Sequence, residues 1–210
     1  MYNDITGIIL SGGKSSRMGE NKSLMKLGEA TVIEHVKKLM QSLFSKVILI
    51  TNEQAEYKFL NLDMFEDIYF RMGPLAGIHS GLAHSTTNKN FIISCDLPMM
   101  TGQMISYLAD YKTAKPVTVA KADGYVQQLC GIYDKACLPT AEEILSEQKY
   151  SEDRSAEQKK RGCNVLNLID RTGAEIIDAE SLPFFNKDLY FNMNRRSDFE
   201  LVADKMINNR

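Results

Sequence analysis

Apolar runs of four to six residues alternate with amphipathic stretches along most of the chain. Residues 5–10, Ile-Thr-Gly-Ile-Ile-Leu, are apolar at successive positions rather than at every second one. A strand of that kind is covered on both faces, as in the middle of a parallel sheet. Residues 47–51 and 91–95 read the same way, and the second of these runs stops at Asp96. Between the first two runs, Thr31 and Glu34 have the spacing of a capping box. Ile33, Val36, Met40 and Leu43 then follow at helical spacing, with Lys37 and Lys38 outside the stripe. Residues 77–83 form a short helix behind a Gly-Pro turn. Residues 101–111 form another, with Met104, Ile105, Leu108 and Tyr111 as its apolar face. Two more strands are expected at 117–120 and 129–133, and a helix at about 135–145. Ser197 and Glu200 have capping-box spacing ahead of a last helix carrying Phe199, Val202 and Met206.

This order of strands and helices predicts a single α/β domain over 1–210 with a mostly parallel sheet. The stretch 146–162 is polar and charge-dense, and reads as a mobile loop or a solvated helix. A chain of 210 residues buries roughly 70% of its unfolded surface, enough to fold without a disulfide or structural metal. The formal net charge of −2 argues against a general electrostatic grip on nucleic acid, but not against a small anion held by a few local cations. No basic segment leading into a long apolar run opens the sequence, and no stretch approaches the ~20 apolar residues of a membrane span. The expected location is the cytoplasm. Cys95, Cys130, Cys137 and Cys163 match no zinc spacing and are expected to be free, mostly buried thiols.

The first apolar run leads directly into Leu10-Ser11-Gly12-Gly13-Lys14-Ser15-Ser16-Arg17-Met18-Gly19, with Lys22 three residues on. Ligands of open α/β sheets sit at the carboxyl ends of the strands, where this segment falls. Adjacent glycines let backbone amides approach phosphate oxygens closely. Arg17 grips phosphate as a fork and Lys22 acts as a point charge. A P-loop would need glycine at position 8, which is Ile8, and no G-x-G-x-x-G is present for a dinucleotide. Asp96, at the tip of a buried strand and followed by Leu97-Pro98, is placed to hold Mg²⁺ through its carboxylate. His79 and His84 have no carboxylate partner in the sequence and are not assigned to catalysis.

Residues 10–22 resemble the signature L-x-G-G-x-S-x-R-M-G-x-x-K of the MobA-like nucleotidyltransferases. Ser11 stands where that family usually has Ala. Cys95-Asp96-Leu97-Pro98 resembles the family's Mg²⁺-binding motif. Gly73-Pro74-Leu75-Ala76-Gly77-Ile78 resembles its G-P-L-A-G-[IM] loop beside the base and ribose, with Asp67 matching the upstream nucleotide-contacting acid. Gln127-Gln128-Leu129-Cys130-Gly131-Ile132-Tyr133 resembles its Q-P-L-x-G-L-Y strand, with Gln128 in place of Pro. Asn192 and Asn194 match the asparagines of N-[IV]-N-T-P-E-[DE], although Arg195-Arg196-Ser197-Asp198 replaces the rest. As alternate residues of a strand, those two asparagines would face one site.

The resemblance implies a three-layer α/β/α Rossmann-like nucleotidyltransferase fold. It implies transfer of GMP from GTP to the terminal phosphate of Mo-molybdopterin, with Mg²⁺ as cofactor and contact with other molybdenum-cofactor biosynthesis proteins. Arg17, Lys22 and Asp96 would then be catalytic. Leu10, Ser11, Gly12, Gly13, Lys22, Asp67, Gly73 and Asp96 would bind the nucleotide, and Gln127, Asn192 and Asn194 the acceptor. A CTP-using relative, a sugar- or polyol-phosphate nucleotidyltransferase, and a nucleotide-binding adaptor without turnover are the alternatives.

Overall fold

The computed structural model describes residues 1–12, 21–149, 164–193 and 196–208. Its core is a seven-stranded sheet. Strand β1 (Tyr2–Leu10) is central and pairs in parallel with β4 (Phe44–Ile50) on one side and β6 (Lys89–Ser94) on the other. Beyond β4 lies β5 (Asp63–Phe65), also parallel. Beyond β6 lie β8 (Tyr125–Asp134), β7 (Val117–Ala122) and β9 (Ala174–Asp178), giving the order β5-β4-β1-β6-β8-β7-β9. Of the seven, β8 alone runs against the rest. A separate two-stranded hairpin, β2 (Lys26–Leu27) with β3 (Ala30–Thr31), precedes the first helix.

Both faces of the sheet are covered, as the continuous apolar runs require. Ile5 and Ile9 of β1 face one core, built with α1 (Val32–Leu43) and α4 (Gly102–Asp110). Ile8 and Leu10 face the other. That second core is built with α3 (Pro74–His84), α5 (Leu138–Lys149) and α6 (Val165–Thr172), the short α2 (Gln54–Tyr57) lying after β4. Helix α1 starts where the capping box places it: Thr31 Oγ1 accepts from the Glu34 amide at 3.4 Å, and Glu34 Oε2 accepts from the Thr31 amide at 2.7 Å. Its stripe Ile33, Val36 and Met40 is fully buried. A third small cluster joins Leu27, Val32, Met193 and Val202, tying α7 (Arg196–Asn208) to the hairpin.

Several expectations need correction. The strand β9 and helix α6 had too short an apolar pattern to be foreseen. Of the stretch read as a mobile loop or a solvated helix, residues 146–149 are helical and continue α5, with Ser146 Oγ 2.9 Å from the Tyr69 hydroxyl, and 150–163 lie outside the described residues. Helix α7 already contains Ser197, so that serine does not cap it. Residues 191–193 are irregular rather than a strand, so alternation does not apply there.

Two glycines are dictated by space and by dihedral. Gly73 precedes α3 with φ of 82° and ψ of −169°, a region essentially closed to side-chain-bearing residues. Gly131 lies in β8 between its two neighbours, where a Cβ would sit 2.4 Å from the Thr118 carbonyl oxygen and 2.8 Å from Val119 Cγ1. Backbone cannot yield to such an approach as a flexible side chain can. Gly131→Ala is therefore expected to cost about 3 kcal/mol and to lower the thermal midpoint by roughly 6–12 °C. A melting curve within about 2 °C of wild type would contradict this packing.

Candidate active site

Parallel pairing brings three strand ends to one place. The Ser11 amide donates to the Ile50 carbonyl at 2.9 Å, and the Cys95 amide donates to the Leu10 carbonyl at 3.0 Å. Leu10, Ile50 and Ser94 are thus in register across β1, β4 and β6. Beyond this edge opens a cavity of about 320 Å³. Ser11, Gly12, Lys22, Cys95 and Asp96 line it, as do Glu53, Glu56 and Tyr57 from the start and end of α2. Met193 closes one side, its amide donating to the Asp96 carbonyl at 3.3 Å. The cation and the carboxylate singled out in the sequence, Lys22 and Asp96, therefore face one space. Gly13, Arg17 and Asn194 lie outside the described residues.

Asp96 Oδ1 is buried and has no hydrogen-bond partner among the described residues. An unpaired carboxylate oxygen is costly unless a cation or donor completes it. This oxygen fits a divalent ion. No group of three or more His, Cys, Asp or Glu side chains is arranged to hold a metal among the described residues. An ion here would take Asp96 and ligand oxygens, the mixed shell that Mg²⁺ accepts. The neighbouring Cys95 thiol is pushed up to about 12, chiefly by burial and then by the Asp96 charge, while Ser11 and Lys22 pull the other way. At neutral pH it remains a thiol and makes a poor metal ligand. Among the described cysteines Cys95 is half-buried, Cys130 and Cys137 are buried, and all three are free.

A second cluster adjoins the cavity. Asn52 Nδ2 donates to Asp67 Oδ2 at 2.8 Å and the Asp67 amide donates to Asn52 Oδ1 at 3.0 Å. A Cβ on Gly77 would lie 3.4 Å from Leu10 Cδ2 and 3.7 Å from Asp67 Oδ1. Leu10, Asp67 and the G-P-L-A-G helix are therefore adjacent. Gly73 is exposed at the head of α3, off the cavity lining.

Of the acceptor candidates, Gln127 belongs to β8. Val119 faces Gly131 but Lys121 faces Val126, so Gln127 to Cys130 bulge opposite a single Ala120. Such bulges re-aim side chains beside functional sites. The ladder between β6 and β8 ends at Ile93 and Cys130. Asp96 and Gln127 each lie three residues past that end. Gln127 Nε2 donates to the Ala122 carbonyl at 3.2 Å and the Tyr125 carbonyl at 3.4 Å, which holds it to its own hairpin. Asn192 is exposed next to Met193. His79 does not line the cavity; it is buried in α3, edge-on to Tyr69 with centroids 5.0 Å apart, and burial lowers its pKa.

Residues 7–161 match the MobA-like NTP transferase domain. The chain belongs to that family. This nucleotidyltransferase is 33% identical over 199 residues to a Carboxydothermus hydrogenoformans protein named "Probable molybdenum cofactor guanylyltransferase", with 94% of each chain covered. A Clostridium perfringens protein of the same name is 38% identical over 138 residues, 65% of this chain and 69% of that one. The solved structure of molybdopterin-guanine dinucleotide biosynthesis protein A from Archaeoglobus fulgidus superposes with a TM-score of 0.78 over 98% of this chain and all of that one (100%), at 19% identity. The α/β/α fold expected from the sequence is the observed one. No helix among the described residues is long and apolar enough to cross a membrane.

Sequence reasoning missed Asn21, Asn52, Glu53, Glu56 and Tyr57. One signal was available: Tyr57 is the first aromatic residue in the polar stretch after β4, at the ligand end of a parallel strand.

Burial raises the Asp67 pKa from its ordinary value of 3.8, the Asn52 hydrogen bond opposes this, and the Glu53 charge adds to it. The folded state thus favours the protonated acid. That contribution to stability is complete below the unfolded value and is lost as pH rises through the folded one. In urea titrations, Asp67→Asn should gain stability relative to wild type between pH 4 and neutrality. A gap that stays constant or narrows would refute the desolvation.

Proposed function

We propose that this protein is a molybdenum cofactor guanylyltransferase, transferring GMP from GTP to Mo-molybdopterin with release of pyrophosphate in the cytoplasm. One observation carries the chemistry: Lys22 and the unpartnered carboxylate oxygen of Asp96 share a cavity at the carboxyl ends of the central strands. The acceptor is supported by the Carboxydothermus relative, whose name specifies guanylyl transfer to a molybdenum cofactor and which matches over nearly the whole chain.

The reaction is an in-line exchange. An oxygen of the acceptor's terminal phosphate forms a bond to the α-phosphorus of GTP, and the bond from that phosphorus to the bridging oxygen breaks. The bonding pair leaves with pyrophosphate. The nucleophile is already an anion, so no general base is required, and the protein's work is positioning and charge stabilisation. This suits a cavity lacking His79.

Lys22, with Arg17 from the same motif, stabilises negative charge on the departing pyrophosphate. Backbone amides at Gly12 and Gly13 hold phosphate oxygens. The Leu10, Asp67 and Gly73 region takes the nucleoside, and Gln127, Asn192 and Asn194 take the acceptor. Asp96 would hold Mg²⁺, which when bound neutralises triphosphate charge.

Pyrophosphate release with purified molybdopterin tests this reading. GTP should be used in preference to CTP, ATP and UTP. Asp96→Ala and Lys22→Ala should each lower turnover by roughly 100- to 1,000-fold. Preference for CTP would move the protein to a cytidylyltransferase of the same fold. GTP binding without pyrophosphate release would make it an adaptor.

A further inference from the structure

The Tyr57 side chain joins the two flanks of the glycine-rich segment. Its ring is buried, only 2% exposed. Ser11 Oγ donates to its hydroxyl at 2.8 Å, and Asn21 Nδ2 donates to it at 2.8 Å. Ser23 Oγ gives its proton to Asn21 Oδ1 at 2.8 Å, which leaves Ser23 to accept the Tyr57 proton, also at 2.8 Å. A phenol has one proton and two lone pairs. All three are used, so the hydroxyl's neighbours are fixed in direction as well as distance. Asn21 is held again from α2, donating to Glu56 Oε2 at 2.7 Å.

The placement of these partners along the chain gives the network its meaning. Ser11 directly follows β1 and precedes the adjacent glycines, and Asn21 and Ser23 follow the glycine-rich segment. Lys22 lies between those last two residues. Phenylalanine would fill the same apolar space, so packing alone does not account for the hydroxyl. Ser11 is also the position at which the first motif departs from the resembled pattern, and its hydroxyl is what links β1 to the tyrosine.

We infer that Tyr57 is a positioning residue of the nucleotidyl-transfer site, whose hydroxyl fixes Lys22 relative to the end of β1 and thereby sets affinity for the nucleotide's triphosphate. It touches no reacting atom. The inference rests on the nucleotidyltransferase reading of the cavity and adds to it a residue outside every motif described above.

The test is Tyr57→Phe in the full chain. Removing one saturated buried hydroxyl should raise both the Kd and the KM for GTP with Mg²⁺ by roughly ten-fold. The kcat should fall several-fold as well, because Lys22 also stabilises the departing pyrophosphate, whereas the KM for molybdopterin should stay within about two-fold, because the acceptor does not depend on Lys22. Ser11→Ala should shift the GTP constants in the same direction but less. Combined with Tyr57→Phe it should add little, since the two changes delete a shared bond. A purely structural role would instead lower the melting temperature equally with and without GTP and move both KM values together. GTP affinity unchanged in Tyr57→Phe, with wild type binding normally, overturns this inference alone. A wild-type protein that binds no GTP overturns the reading of the cavity and the inference with it. If Tyr57→Phe does not fold, Ser11→Ala decides: an unchanged KM for GTP overturns the inference.

Discussion

The structure depends on one constraint, the burial of β1 on both faces between two parallel neighbours. A strand with Ile5 and Ile9 in one core and Ile8 and Leu10 in the other cannot slip register without exposing apolar surface. Its hydrogen bonds to β4 and β6 then align the ends of all three strands. The residues that leave those ends, Ser11, the Asn52 loop and Asp96, have no choice but to meet. The chemistry therefore sits at the ends of strands whose register is fixed from both faces.

At that edge the polar groups divide into two kinds. Those around Tyr57 satisfy one another, and the tyrosine proton is retained because burial raises its pKa more than the hydrogen bonds with Ser11, Ser23 and Asn21 lower it. Asp96 Oδ1 is the opposite, buried and without a partner among the described residues. A folded protein rarely tolerates such an atom unless something else completes it. The contrast separates scaffold from binding position: saturated groups hold geometry, and the Asp96 oxygen is available to a cation. The bulge of Gln127 to Cys130 adds a third element, a strand distorted just past the ladder that ends beside Asp96.

The antiparallel strand β8 explains why this edge is asymmetric. On the β4 side the loops are short and carry Asn52, Glu53 and Tyr57 into the cavity wall or its neighbour. On the β8 side the chain arrives from the opposite direction, so a hairpin rather than a strand end lies near Asp96. The two flanks consequently offer different chemistry. One presents hydroxyls, amides and acids around the Lys22 segment, and the other presents Gln127.

The sequence by itself determined the elements with long apolar patterns, the capping of α1, the layer order, and the residues whose chemistry needs no partner to be recognised: Lys22 after the glycines and Asp96 at a strand tip. These are local properties, readable from periodicity and spacing. The extent of α5, the strand β9 and the bulge in β8 were decided by tertiary packing, because each depends on neighbours distant in the chain. The same holds for the site's scaffold. Tyr57 meets Ser11 across 46 positions, and the burial that makes its hydroxyl bonds count exists only once β1, β4 and β6 are side by side. Sequence fixes which groups are present; only the folded sheet decides which of them are left without water, and that is what gives each its energetic weight.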